Sequence, residues 1–390
     1  MKNFLQNLYK GKEWMHNVNW EFLNSIPEFE KLNHCEQNPK WHSEGNVMEH
    51  TKLSIKKFEN EVLNLERYNW YNEDERFILR VSIILHDIGK GVVTSIGKDG
   101  NWHAYEHEIY SEKIARVLLW NENIHIRETI CSLVRYHMTP LQIFESKNWI
   151  YKMFEIGCRV PLKLLYAVKM ADLLGSVQEN GGTMEADLKK LDFFKDAAKS
   201  LGLWDNVSKD KSSFIVKYGS NRNIMPWKVF TDKNKVAIVL IGLPGSGKNT
   251  FIETKLKKEM PDNCVQISRD DIRVKIGICD EGGKCVGSEL EEKEVSRISD
   301  ELLSNAINDG KPIVINNINL KRKYRDVFTK ILRNNGYIIK FVYIEAPTID
   351  INIKRRDGQI SKEAIQSCAY NFDFPEPSEY DELFIEKQTL

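Results

Sequence analysis

The chain has no apolar run approaching the roughly 18 residues that a membrane-spanning helix requires, so no helical span is expected. Met1, Lys2, Asn3 and Phe4 open the sequence without the apolar core of a secretory signal, and a cytoplasmic protein is expected. An excess of either charge is also missing: 56 lysines and arginines balance 56 aspartates and glutamates. A net charge of zero excludes broad adhesion to nucleic acid by bulk charge, leaving any contact with a polyanion to a local patch. Cysteine is scarce and odd in number, seven residues spread from Cys35 to Cys368, which fits reduced thiols better than a disulfide framework. Cys279 and Cys285 flank a Gly-Gly turn, but no second pair accompanies them to complete a zinc site. Internal repeats and low-complexity tracts are lacking as well. At 390 residues the chain has room for two or three domains, each with its own core.

What is present falls into two patterns. From residue 51 apolar side chains recur at intervals of three and four, as in Leu53, Ile55, Phe58 and Val62, predicting a helix with His50 at its start. Similar spacing predicts helices over 77–85, 108–120, 127–138, 161–175 and 185–201, so the first half reads as all-helical. One or two further helices are expected within 1–40, where aromatic and polar residues mix. Over 204–235 the periodicity dissolves into Ser, Asn, Lys and Asp, and this stretch reads as a linker. Beyond it the pattern alternates: short β-branched runs at 236–241, 264–268, 312–316 and 337–344 are separated by helical stretches such as 287–306 and 321–335. Strand and helix in alternation imply a parallel sheet covered on both faces. The expected organisation is therefore multidomain: an all-α domain over 1–203, a linker over 204–235 and an α/β domain over 236–390.

In the helical half, His86 and Asp87 close the apolar run 77–85. Such a pair offers a metal one nitrogen and one oxygen from neighbouring positions, and Gly89 is expected to let the backbone leave the helix. The dipeptide alone equally fits a helix end with its carboxylate in water. Its company favours a site: His50 lies upstream, His107 and His137 follow, and Asp172 sits within the apolar run 164–174. The order His50, His86-Asp87, His107, His137, Asp172 resembles the HD superfamily of metal-dependent phosphohydrolases. The surrounding strings Trp41-His42-Ser43-Glu44-Gly45, Glu49-His50-Thr51, Glu106-His107-Glu108 and Arg135-Tyr136-His137 are similar to the HD domains of tRNA nucleotidyltransferases and HD-type end-healing enzymes. This resemblance implies one metal shell from His50, His86, Asp87 and Asp172, a second completed by His107 and His137, and Lys90 beside the phosphate under attack. His42 is read as structural, in a turn marked by Trp41 and Gly45. An imidazole-rich set favours a divalent transition metal of the manganese, nickel, cobalt or copper type over magnesium.

The run 236–241 leads into Gly242-Leu243-Pro244-Gly245-Ser246-Gly247-Lys248-Asn249-Thr250. Gly242, Gly245 and Gly247 let consecutive N–H groups turn toward a phosphate, Ser246 and Thr250 belong to the same cradle, and Lys248 reaches the β and γ oxygens. A P-loop for ATP or another nucleoside triphosphate, with magnesium, is expected. Asn249 stands where a hydroxyl would hold the magnesium. After the second run comes Ser268-Arg269-Asp270-Asp271-Ile272-Arg273, where a carboxylate can take a proton from an acceptor hydroxyl. Paired acids there can equally cap a helix. The string resembles the Arg-Asp-Asp-x-x-Arg signature of 5'-hydroxyl polynucleotide kinases of the phage end-healing type, which implies Asp270 as the base and Arg273 as a contact to the phosphate beside the acceptor nucleotide. In Asn316-Asn317-Ile318-Asn319-Leu320, Asn317 replaces that family's carboxylate. Lys354, Arg355 and Arg356, otherwise a basic helix terminus, resemble the start of an arginine lid over the ATP phosphates, without the family's second lid arginine.

Joined, the two halves resemble the bifunctional HD-type end-healing enzymes. That implies a phosphoesterase and a kinase acting on RNA or DNA ends, a ligase as candidate partner and no membrane. Two alternatives stay open: an HD nucleotide phosphohydrolase fused to a small-molecule kinase, or one regulated by a nucleotide-sensing P-loop domain. Oligomeric state is not legible.

Overall fold

Two separately packed units, 1–222 and 223–390, make up the chain. The computed structural model describes residues 4–9, 18–64, 70–178, 184–208, 235–258, 261–279 and 288–387. Most of the stretch read as a linker lies outside the described residues. Its first residue, Trp204, is buried against Trp70 and Tyr166, and its carbonyl accepts from the Lys163 N–H, so it packs with the helical unit.

Six helices of the first unit build its site: α1 (Val47–Lys57), α2 (Glu73–Leu85), α3 (His107–Leu118), α4 (Ile124–Tyr136), α5 (Leu162–Gly175) and α6 (Met184–Ser200). Asn46 caps α1 by accepting from the Glu49 N–H, and Asn72 forms a reciprocal capping box with Glu75 at the start of α2. α5 is buried along nearly its whole length and packs on α1, α2 and α6. Its last residue explains how close α1 comes: a Cβ on Gly175 would lie 2.7 Å from the Ser54 Cα. That approach is what sets His50 on α1 beside Asp172 on α5.

Helices α3 and α4 are tied by buried charge, with Arg116 donating to both Glu112 and Glu128. Three short helices, Phe4–Asn7, Trp20–Asn24 and Pro27–Glu30, precede α1. The unit is not wholly helical, because Ser95–Ile96 pairs antiparallel with Trp102–His103. The intervening turn explains the departure: Asp99 accepts from Asn101, and Gly100 takes φ +76, turn chemistry that a helical period does not register.

In the second unit five strands form one sheet: β1 (Val236–Ile241), β2 (Val265–Ile267), β3 (Ile313–Asn316), β4 (Ile338–Glu345) and β5 (Glu382–Lys387). All pair in parallel, in the order β2-β3-β1-β4-β5. β5 is absent from the sequence reading because it is a half-exposed edge strand with Glu382 and Glu386 on one face and Lys387 at its end. Helices α7 (Lys248–Thr254), α8 (Arg269–Lys275), α9 (Glu289–Asn308), α10 (Arg322–Asn334), α11 (Ile349–Arg355) and α12 (Lys362–Tyr370) connect them. The chain runs from β1 outward to β2 on one side and later to β4 on the other, so a crevice opens at the carboxyl ends of β1 and β3.

No helix among the described residues is long and apolar enough to cross a membrane. Cys35, Cys131, Cys158, Cys264 and Cys368 are free. Cys279, however, is disulfide-bonded, against the expectation of reduced thiols throughout. An odd total does not forbid one pairing, and a bonded sulfur has no thiolate to give a metal.

Candidate functional site

In the helical unit, the residues singled out from sequence converge. His50 comes from the first turn of α1, His86 and Asp87 follow α2, His107 opens α3, His137 follows α4 and Asp172 lies near the end of α5. His50 Nε2 lies 3.1 Å from Asp172 Oδ1 and 3.7 Å from Asp87 Oδ2. His86 Nε2 is 3.3 Å from Asp87 Oδ2 and 3.8 Å from Asp172 Oδ1. The other Asp87 oxygen, Oδ1, faces His107 Nε2 at 3.2 Å and His137 Nε2 at 3.7 Å. All six side chains are buried.

Gly89 acts differently from expectation. Its φ of −71 is ordinary helical backbone, so the glycine is not there to break the helix. A Cβ on it would lie 2.3 Å from the His107 carbonyl oxygen, and its N–H donates to Ser111 Oγ at 2.8 Å. The missing side chain lets the His86-Asp87 turn lie flat on the start of α3, which joins the two sets of ligands.

The backbone fixes which nitrogens point inward. His86 Nδ1 donates to the Ile83 carbonyl, His107 Nδ1 to that of Ala104 and His137 Nδ1 to that of Val134, all at 2.7 to 2.8 Å. With those protons placed outward, each inward Nε2 carries a lone pair. The consequence is electrostatic conflict: His107 Nε2 and His137 Nε2 face each other at 3.2 Å, while His86 Nε2 and Asp87 Oδ1 have no hydrogen-bond partner. Buried polar atoms without partners are costly, and a divalent cation resolves every one of these contacts at once. The charges around the cluster agree. Burial would lower the His86 imidazole, yet Asp87 and Asp172 push it up to about 10, the mark of carboxylates calling for positive charge. Burial would likewise raise the two carboxyls, but His86 and Lys90 hold Asp87, and Lys169 and His50 hold Asp172, well below the usual range.

Two residues close by were not singled out. Glu44 Oε1 accepts from both His42 Nδ1 and His50 Nδ1 at 2.8 Å, while its Oε2 accepts from the Val177 N–H. Lys169 Nζ lies 2.6 Å from Asp172 Oδ2, matching Lys90 Nζ, 2.7 Å from Asp87 Oδ2. Lys169 precedes Asp172 by three positions on α5, a one-turn spacing that was readable. His42 touches Glu44 and packs edge-on against His50. The site opens into a cavity of about 680 Å³.

The second unit places its candidates around the crevice of its own sheet. Gly245 and Gly247 adopt φ of +75 and +96, the left-handed backbone a phosphate cradle requires. Gly242 is needed for a different reason, since a Cβ there would lie 2.4 Å from the Ile344 carbonyl oxygen. Lys248 Nζ donates to the Gly242 and Leu243 carbonyls at 2.8 and 3.0 Å, and burial and Arg356 push it down to about 8. Thr250 lies one turn into α7, and the Ser246 hydroxyl is buried without a hydrogen-bond partner. Asn352 and Arg355 on α11 donate to the loop carbonyls of Pro244 and Gly245. Arg356 lies against Gly245 and donates to Gln359.

Across the crevice, Asp270 sits in the first turn of α8, its side chain 81% exposed and 2.6 Å from Arg273 Nη1. Arg273 also pairs with Glu292, and Arg269 joins the same carboxylate. One assignment changes: the residue meeting Asn249 is Asn316, whose Nδ2 donates to Asn249 Oδ1 at 2.9 Å. Asn317 instead turns to α8, accepting from the Arg269 N–H. Asn316 is the last residue of β3 and still faces the crevice, whereas the next residue has left the strand.

Residues 48–175 match the family model described as HD domain, and 238–375 match that described as AAA domain. The chain thus combines an N-terminal helical HD domain with a C-terminal α/β domain built on a parallel P-loop sheet. A curated relative, the "Putative bifunctional polynucleotide phosphatase/kinase" of Acanthamoeba polyphaga mimivirus, is 28% identical over 159 residues, 40% of this chain. Those residues cover 32% of the relative, so the chain spans about a third of its length. A solved chain from "Structure of Pnkp1/Rnl/Hen1 complex" is 22% identical over 34% of this chain and 43% of that one, with a TM-score of 0.28.

Proposed function

We propose that the chain heals broken RNA ends in the cytosol: its HD domain removes a 2',3'-cyclic phosphate or a 2'- or 3'-phosphate, and its P-loop domain phosphorylates the 5'-hydroxyl. The observation that carries this reading is the presence, in one chain, of a carboxylate shared between imidazole pairs and a separate glycine-rich loop, with Gly245 and Gly247 left-handed, leading into a helix that opens on Lys248. One domain corrects each end, and a ligase that needs a 3'-hydroxyl and a 5'-phosphate is the natural consumer. The name of the mimivirus relative supports the same pairing.

In the HD domain His50, His86, Asp87 and Asp172 would hold one cation, and Asp87, His107 and His137 a second, of the manganese, nickel, cobalt or copper type. Bound there, such cations polarise the phosphoryl oxygens and lower the pKa of water. The chain's own groups do the rest. Lys90 and Lys169 stand on either side of the carboxylates and balance charge on the phosphate. Glu44 fixes the His50 ring so that Nε2 points inward.

In the P-loop domain the N–H groups around Gly245 and Gly247, with Ser246, Thr250 and Lys248, would hold the phosphates of ATP and its magnesium. Arg355 and Arg356 would close over them. Asp270 takes the proton of the acceptor hydroxyl, whose oxygen forms the new bond to the γ-phosphorus as the bond to ADP breaks, and Arg273 holds the neighbouring phosphate. We place the boundary between the two domains within 204–235. The deciding experiment incubates the protein with an oligonucleotide bearing a 5'-hydroxyl and a 2',3'-cyclic phosphate, with ATP, and examines both ends. Conversion of both supports the reading. A substrate restricted to free nucleotides, or to small metabolites, replaces it.

A further inference from the structure

The cavity that holds the metal-ligand cluster has an aromatic mouth that the chemistry at phosphorus does not use. Trp41, 39% exposed, and Tyr105, 74% exposed, both line it, as do Trp102 and His103. Tyr105 is stacked on His103 with centroids 5.2 Å apart and planes at 6°. His103 is itself held in place: its Nε2 lies 2.9 Å from Asp99 Oδ1, and a Cβ on Gly97 would fall 2.6 Å from the ring. One face of Tyr105 therefore rests on a fixed partner while most of its surface stays in solvent at the mouth of the cavity, leaving its other face open to a stacking partner.

The backbone links this platform to the cluster. Glu106, between Tyr105 and the ligand His107, adopts φ 58, the left-handed region that non-glycine residues rarely enter. Such conformations persist where the surrounding structure enforces them, and here the enforced turn fixes Tyr105 relative to His107.

The charge around the mouth runs against a polyanion. Glu36, Glu106, Glu108 and Asp187 line the cavity, Glu108 paired with Arg135 and Asp187 with Lys190, and Lys40 sits over the Trp41 ring at 4.7 Å, leaving one face of that ring for a base. Among the described residues the only lysines or arginines lining the cavity are Lys90 and Lys169. Both ammoniums are engaged with Asp87 and Asp172 at the cluster. A phosphodiester chain leaving the site meets carboxylates, whereas a base meets π faces.

Building on the phosphoesterase reading, we propose that Trp41 and the His103–Tyr105 stack form a nucleobase subsite, and that the HD domain recognises its substrate one nucleotide deep. The phosphate sits at the imidazole cluster, the terminal base stacks at the mouth, and the rest of an RNA strand adds no affinity. The full-length protein is tested with three esters: uridine 2',3'-cyclic phosphate, a short RNA with the same terminus, and the baseless propane-1,2-diol cyclic phosphate. The mononucleotide and the RNA are expected to react with comparable kcat/KM and a flat salt dependence, both well ahead of the baseless ester. Tyr105→Ala and Trp41→Ala should each cut the preference for nucleotide over baseless ester by roughly tenfold, and Tyr105→Phe should keep it. Unchanged preference in both alanine variants overturns the subsite, and a large, salt-sensitive advantage of RNA over the mononucleotide overturns the one-nucleotide limit. If the natural protein cleaves none of the three with any metal, the phosphoesterase reading falls. Calorimetric titration with uridine 3'-monophosphate then decides the subsite: weaker binding to Tyr105→Ala keeps it, and equal binding removes it.

Discussion

Asp87 Oδ1 lies 3.2 Å from His107 Nε2, while its other oxygen lies 3.3 Å from His86 Nε2, so one carboxylate joins both parts of the imidazole cluster. Asp87→Asn should therefore lower phosphoesterase activity by ~10³ or more, since several kcal/mol of charge stabilisation go with the ligand. Phosphorylation of a 5'-hydroxyl should continue, because the P-loop unit packs separately. Asp270→Asn should do the reverse, by roughly 10²–10⁴. Rates at both ends of one oligonucleotide check this. Loss of both activities from either substitution, in protein with an unaltered circular dichroism spectrum, contradicts two independent sites.

Glu44 offers a prediction about affinity. It accepts from His50 Nδ1 at 2.8 Å, keeping the ring's other nitrogen toward Asp172. Removing such a partner typically weakens metal binding about 10- to 100-fold without deleting a ligand. Glu44→Ala should show this in a competition titration with a metal chelator, and His42→Ala, which spares the Glu44–His50 contact, should lose less. Equal losses from the two would assign His42 to the cation itself.

Metal preference follows from the donor set. Of the six side chains expected to ligate, four are imidazoles whose outward Nδ1 contacts leave Nε2 as the nitrogen facing the cluster. Nitrogen donors favour manganese, cobalt, nickel or copper over magnesium. Stripped protein should recover its phosphoesterase with one of these ions, while the kinase runs on magnesium. Full recovery of the phosphoesterase with magnesium alone would sink the assignment.

The residues that carried information in the sequence did so through order and period. The helical spacing ended α2 at its observed last residue and matched α5 to within a residue, but started α1 and α2 three to four residues late; the polar first turn of α2, capped by Asn72, carries no apolar period. The ordered His and Asp positions converge on one buried cluster. Less legible was whatever depends on close approach between elements distant in sequence. Gly175 looks like a helix terminator until the Ser54 backbone is seen beside it, and Gly89 looks like a helix breaker until His107 is. Glu44 lies in a string quoted for its resemblance, but nothing in one dimension says that its carboxylate reaches two imidazoles and the Val177 amide. The register at the end of β3 was off by one for a similar reason. Among consecutive asparagines, only the strand's hydrogen bonds decide which one still faces the crevice.

That one-residue difference shapes the test of the kinase. Asn316 Nδ2 donates to Asn249 Oδ1 at 2.9 Å, so two neutral amides occupy the place where a hydroxyl and a carboxylate ordinarily serve magnesium. An amide oxygen can ligate a hard cation but brings no negative charge, and magnesium must then lean on the nucleotide's phosphates and on water. The kinase should be active yet need unusually high magnesium, with nucleotide binding maintained by the loop and Lys248. Asn249→Ser together with Asn316→Asp should lower the magnesium concentration for half-maximal rate. Asn249→Ser with Asn317→Asp should not, because position 317 accepts the Arg269 N–H at 2.9 Å and faces α8. Saturation of the natural protein at sub-millimolar magnesium, with the first pair only slowing it, would point to another ligand. Asp271 is the first to examine, since among the described residues its carboxylate accepts only from Gln266, at 3.3 Å. Should no acceptor be phosphorylated at any magnesium concentration while ATP still binds, the P-loop domain senses nucleotide rather than transferring phosphate, and regulation of the HD domain by ATP becomes the quantity to measure.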